Sequence, residues 1–100
     1  MQNMYLNDQQ VQTIRDYFQN KPVLKAYLFG SYVRGEAEEK SDVDILVELD
    51  YTQPIGLEFV GMKLDLEDLL GREVDLVSAR GLSEFIGPLI HQEKELLYAR

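Results

Sequence analysis

Apolar residues return at helical spacing early in the chain, at Val11, Ile14 and Phe18. They follow Asn7, a good N-cap, with Gln10 at the capping-box position, and the run ends at the breaker Lys21-Pro22. The pattern predicts a helix over residues 7–20. Val23 to Phe29 is short, apolar and aromatic-rich and stops at Gly30, which predicts a buried strand. Ser31 to Glu36 has room for a single helical turn, with Ser31 as its starting residue. Val43 to Val47 predicts a second strand.

Pro54 suits the first turn of a longer helix. Leu57, Val60 and Leu64, with Phe59, Met62, Leu66, Leu69 and Leu70, give that helix a wide apolar face, and Gly71 closes it. Val74 and Leu76 set against Asp75 and Val77 predict a third strand over residues 73–78. Ser83 then opens a short helix that Pro88 interrupts, and Leu96 to Tyr98 reads as a small edge strand. The order predicts an α/β fold, a small mixed sheet of three or four strands with helices packed on it.

The chain has 100 residues, 45% of them hydrophobic, which suffices for one core and predicts a single domain over residues 1–100. Ten Lys and Arg against eighteen Asp and Glu give a formal net charge of -8. Such a surface repels phosphate backbones, so direct nucleic-acid binding is not expected and a basic protein partner fits better. The absence of Cys removes disulfides and thiolate zinc sites and is compatible with a reducing cytosol. Neither a signal peptide nor a membrane span is legible, and a soluble, cytoplasmic protein is expected.

The chemistry concentrates in Gly30-Ser31, followed after ten intervening residues by Asp42-Val43-Asp44. Gly30 ends a strand where a Cβ would hold a ligand off the backbone. Ser31 offers a hydroxyl and an N–H at the start of a helical turn, a place for a triphosphate. Residues two apart on a strand share a face, so Asp42 and Asp44 project together with Cα atoms about 6–7 Å apart. Asp44 lies between Val43 and Ile45, where an unpaired carboxylate is costly, so a hard divalent cation such as Mg2+ is the expected compensation. If the third strand lies beside the second, Asp75 completes a three-carboxylate set able to share two ions about 3.5–4 Å apart.

Other residues carry two readings each. Arg34 either touches phosphate or pairs with Glu36 or Glu38 on a solvated loop. Glu36 to Glu39 reads as solvated surface and His91 as a solvent-facing helix residue. Tyr17, Tyr27 and Tyr98 sit at apolar spacing and look like core, while Tyr32 stands beside Ser31 and either borders the nucleotide or packs inward.

Leu28-Phe29-Gly30-Ser31-Tyr32-Val33-Arg34-Gly35 and Ser41-Asp42-Val43-Asp44-Ile45-Leu46-Val47 resemble the signature of the DNA polymerase β-type nucleotidyltransferase superfamily. The length and the acidic strand Glu73-Val74-Asp75-Leu76-Val77 resemble, more narrowly, the minimal nucleotidyltransferase antitoxins that pair with HEPN-domain ribonuclease toxins. The likeness covers roughly residues 7–98; a departure is Val33, where Ala is common. It implies that Gly30 and Ser31 hold the β and γ phosphates, that Asp42 and Asp44 bind magnesium, and that Asp75 helps activate the acceptor hydroxyl. It further implies AMP transfer from ATP to a tyrosine of a cognate HEPN toxin within a hetero-oligomeric complex. Two other functions compete: transfer to a small molecule such as an aminoglycoside, and an antitoxin that neutralises by binding alone.

Overall fold

Asn7 and Gln10 close the start of the first helix as a reciprocal pair. The Asn7 side chain accepts the Gln10 N–H at 2.7 Å, and the Gln10 side chain accepts the Asn7 N–H at 3.0 Å. In this computed structural model, which describes residues 6–38 and 41–100, the elements run α1 (Asp8–Phe18), β1 (Val23–Phe29), α2 (Ser31–Arg34), β2 (Val43–Leu49), α3 (Glu58–Leu70), β3 (Val74–Ser78), a 3-10 turn (Ala79–Gly81), α4 (Gly87–Glu93) and β4 (Glu95–Ala99). Glu36 and Glu38 are exposed, as expected of the acidic run, whose Glu39 lies outside the described residues.

Three boundaries differ from the sequence expectation. The long helix starts at Glu58, not at Pro54, because Gly56 adopts φ +43, a left-handed value that a helix cannot include. Pro88 does not interrupt a helix begun at Ser83; it sits in the first turn of α4, where its missing N–H would have had no partner. Ser83 instead closes the preceding turn, its hydroxyl accepting the Ile86 N–H at 3.1 Å. The N-cap of α2 is Gly30, with no side-chain cap bond, so Ser31 is the first helical residue and its hydroxyl is not a cap. Gly71 ends α3 as predicted, in the left-handed conformation with its N–H on the Glu67 carbonyl.

The four strands stand in the order β3-β2-β1-β4, with β2 and β3 parallel and the other pairs antiparallel. The register between β1 and β4 slips by one residue between Ala26 and Tyr27, leaving Leu97 without an opposite number. The Leu97 carbonyl accepts Arg15 Nε at 2.7 Å.

Alternation along the strands sends two sets of residues to opposite faces. Ala26, Leu28, Val43, Ile45, Val47, Val74 and Leu76 join Val11, Ile14 and Phe18 of α1 and Met62, Leu66 and Leu70 of α3 in the main core. Tyr32, Val33 and Tyr98 belong to it as well, and Tyr17 packs at its margin with its hydroxyl on Asp65. Tyr32 is 2% exposed, so its ring packs inward and does not border the cleft; Arg72 lies over it. The apolar face predicted for α3 is only half used, since Leu57, Val60, Leu64 and Leu69 remain exposed. On the opposite sheet face a smaller cluster joins Phe29 and Leu46 to Ile90 of α4, with Tyr27 packed at its edge. Asp44 and Asp75 follow the same alternation and belong to this second face, the one α4 covers only in part. Among the described residues no helix is long and apolar enough to cross a membrane.

Candidate active site

β1 delivers Gly30 at its end, and the chain there turns with φ 77 and ψ -150 into the single turn of α2. Antiparallel pairing puts Phe29 opposite Asp44, so the turn and the carboxylate are neighbours across adjacent strands. The approach is close enough that a Cβ on Gly30 would run into Asp44 Oδ2. The parallel β2–β3 ladder pairs Asp44 with Asp75 directly. The condition set by the sequence, that the third strand lie beside the second, is therefore met. Asp42 is exposed just before β2, and Asp75 is exposed on an edge strand.

These like charges act on one another. Burial, then the Asp75 charge and then that of Asp42 push the Asp44 carboxyl up to about 6, with Arg34 opposing the shift. Among the described residues no three His, Cys, Asp or Glu side chains stand together so as to hold a metal ion, so the expected three-carboxylate set is not assembled: the ladder brings Asp44 and Asp75 side by side, and Asp42 stands just before the strand. Of these carboxylates Asp44 lines the cleft, and one or two carboxylates are what a hard cation takes when it completes its shell with substrate phosphate oxygens. Excess negative charge around a half-buried carboxyl fits such a cation.

The cleft has a volume of about 590 Å³. Gly30, Arg34, Asp44 and Glu93 form its polar side, and Phe29, Ile86, Leu89 and Ile90 its apolar side. Ile86 and Leu89 keep 51% and 63% of their surface exposed, so the apolar wall is available to a ligand.

Residues 11–97 match the family model described as the nucleotidyltransferase domain. The chain belongs to this family. Among its relatives is the protein adenylyltransferase MntA of Thermococcus cleftensis, 48% identical over 66 residues, which are 66% of each chain. A crystal structure of a toxin-antitoxin with AMP-PNP superposes with TM-score 0.74 at 26% identity, over 95% of this chain and 75% of that one. The fold recurs, at 23% identity and TM-score 0.68, in a complex of a tri-AMPylated Shewanella oneidensis HEPN toxin with an MNT antitoxin, over 95% of this chain and 74% of that one.

Within this nucleotidyltransferase, Arg34 makes the solvated pair with Glu36 that was one of its two readings, at 2.9 Å. It also reaches the cleft, where Nη1 lies 3.0 Å from Glu93. His91 is exposed on α4, its Nδ1 2.9 Å from Lys94 Nζ. Tyr27 is partly buried, its hydroxyl donating to Glu48 at 3.2 Å. Sequence reasoning passed over Glu93, which accepts the Gly30 N–H at 2.6 Å. No local signal marks it, since the two residues lie 63 positions apart.

Gly30→Ala is expected to remove activity for two separate reasons. Its φ of 77 is strained for an L side chain, and the new methyl occupies the place of Asp44 Oδ2. Loss of transfer of at least a hundredfold, in a protein that keeps its far-ultraviolet circular dichroism, is the expected outcome. Transfer near wild type would show that this close approach is dispensable.

Proposed function

We propose that this nucleotidyltransferase moves AMP from magnesium-bound ATP onto a tyrosine hydroxyl of a cognate HEPN ribonuclease toxin, and neutralises the toxin in doing so. The observation that carries the chemistry is the direct pairing of Asp44 with Asp75 beside the Gly30 turn, on the sheet face that opens to the cleft. The choice of a protein acceptor and of ATP draws on the MntA relative, named a protein adenylyltransferase, and on the toxin-antitoxin structure with AMP-PNP. The HEPN class of the partner is what the sequence resemblance implies, and in the Shewanella complex the partner is an AMPylated HEPN toxin.

In this reading Asp44 and Asp75, with Asp42 as the resemblance implies, would hold Mg2+, two ions when the site is full. When bound, the metal offsets the triphosphate charge and lowers the pKa of the attacking hydroxyl. Gly30 and Ser31 position the β and γ phosphates with their N–H groups and the Ser31 hydroxyl. Asp75, on the outer strand, faces the acceptor and takes the proton of its hydroxyl. The acceptor oxygen then bonds to the α phosphorus, the bond from that phosphorus to the bridging oxygen breaks, and diphosphate leaves. We read residues 1–100 as one nucleotidyltransferase domain working in the cytoplasm, in a hetero-oligomeric complex with the toxin and without direct nucleic-acid contact.

The test is incubation with ATP labelled at the α phosphate, Mg2+ and a candidate HEPN protein from the same genome, followed by peptide mapping. Label on a toxin tyrosine is the expected result. Label found only on an added aminoglycoside would assign a small-molecule acceptor. Neutralisation of the toxin with no label would assign inhibition by binding. Ser31→Ala is expected to weaken ATP binding roughly tenfold or more, the loss of one hydrogen bond to a charged group. The melting temperature should hold, because no side-chain cap is removed; equilibrium titration with Mg·ATP measures the first, and unchanged affinity takes Ser31 out of the site.

A further inference from the structure

An incoming phosphate and a carboxylate need the same donors, N–H groups and a guanidinium. Two such donors in the cleft are already engaged. Glu93, in the last turn of α4, accepts the Gly30 N–H through Oε2 at 2.6 Å. Arg34 Nη1 donates to the same carboxylate, 3.0 Å from Oε1 and 3.2 Å from Oε2. The Glu93 side chain is 22% exposed and lies in the wall of the cleft. Arg34 Nε stays on Glu36 at 2.9 Å, so the Nη1 end can change partner while the rest of the guanidinium is held.

We propose that Glu93 is a positioning residue that stands in for phosphate: its carboxylate keeps Gly30 N–H and Arg34 Nη1 oriented in the free enzyme, and the nucleotide's terminal phosphates displace it from both. The proposal rests on the nucleotidyl-transfer reading and deepens it. Gly30 is a buried residue whose N–H needs an acceptor at all times, and Glu93 supplies one until the ligand arrives. One N–H does not serve two anions at full strength. A carboxylate left in place would also add its charge to those of Asp42, Asp44 and Asp75 against the triphosphate. Displacement has a measurable consequence, because the apparent affinity is reduced by the fraction of time the donors are occupied. It also favours a polyphosphate carrying several charges over an anion no stronger than a carboxylate.

The experiment compares Mg·ATP affinity, by calorimetric titration, for the wild type, Glu93→Gln and Glu93→Ala. Gln keeps the size and one carbonyl oxygen but loses the charge; Ala removes the group. Both variants are expected to bind about five- to tenfold more tightly, within the usual range of a coupling between two sites. Arg34→Gln placed in the Glu93→Gln background should cancel most of the gain, since the released guanidinium is what the phosphate acquires. Looser or unchanged binding in both variants overturns the proposal, because a purely structural anchor for the Gly30 turn would act in that direction. A measurement free of substitution runs beside it. The 13C resonance of the Glu93 carboxylate in the wild type should move on addition of Mg·ATP, and a resonance that stays in place while ATP binds also overturns displacement. A wild type that binds no Mg·ATP would overturn the nucleotidyl-transfer reading itself, and this proposal with it.

Discussion

Asp44→Asn abolishes AMP transfer and leaves the metal-free fold at least as stable as the wild type. Asn keeps the shape of the side chain but removes the charge that a hard cation needs. It also relieves a conflict visible in the structure, where burial and the charges of Asp75 and Asp42 push the Asp44 carboxyl up to about 6. The sign of the pH effect follows from that direction. In the folded chain Asp44 keeps its proton until about pH 6, whereas in the unfolded chain it releases it near the ordinary value of about 4. Between these values the native state binds more protons, so this group makes the metal-free fold less stable as pH rises through the window, with no further change above it. Metal binding runs the opposite way, since it must expel the same proton and therefore strengthens as pH rises through about 6. Melting in chelator at pH 4.5 and 7, with magnesium titrations at both, separates the two effects. Asp42→Asn should lose transfer as fully, and near wild-type transfer in either variant would sink the metal assignment.

Asp75→Asn should still bind Mg·ATP within several-fold of wild type and yet lose transfer by on the order of a hundredfold or more, the loss expected when acid-base assistance goes. The division of labour comes from the sheet. Asp44 sits on the strand next to the Gly30 turn, whereas Asp75 lies one strand further out, exposed on the sheet edge where an acceptor can approach. Nucleotide affinity and single-turnover transfer, measured on the same variant, decide the matter. If binding collapses while transfer at saturating ATP is normal, Asp75 holds the nucleotide-side metal and the roles are reversed.

What could be read from the chain depended on how far each feature's partners lie along it. The capping box at Asn7 and Gln10 is complete within four residues, and β1 and β2 announce themselves by local apolar runs. Gly30, Ser31, Asp42 and Asp44 are close enough in sequence to be seen as a group. Asp75 was legible only as a condition, because no local pattern states that β3 pairs in parallel with β2. The start of α3 misled because Pro54 is a strong helix-start signal, and the positive φ that Gly56 adopts is a property of the folded turn. The inward packing of Tyr32 was equally hidden, since a polar neighbour in sequence, Ser31, says nothing of a ring that enters the core. Glu93 shows the limit most clearly: in sequence it is one more acid at the end of a short helix, and only the tertiary path brings it to Gly30.

The slip in register at Leu97 fixes the length of chain between the core and the end of α4. Past that residue, Tyr27 pairs with Leu96 and Leu28 with Glu95, and only Lys94 separates the strand from Glu93, the last residue of α4. Had the strands kept the step set by Ala26 and Tyr98, Leu28 would have faced Leu96. One surplus residue in an edge strand thus works as a spacer between Tyr98 in the core and the carboxylate that meets the Gly30 N–H. A single deletion between Leu96 and Tyr98 would draw Glu93 along β1 and strain that contact, even if every apolar residue found a place in the core.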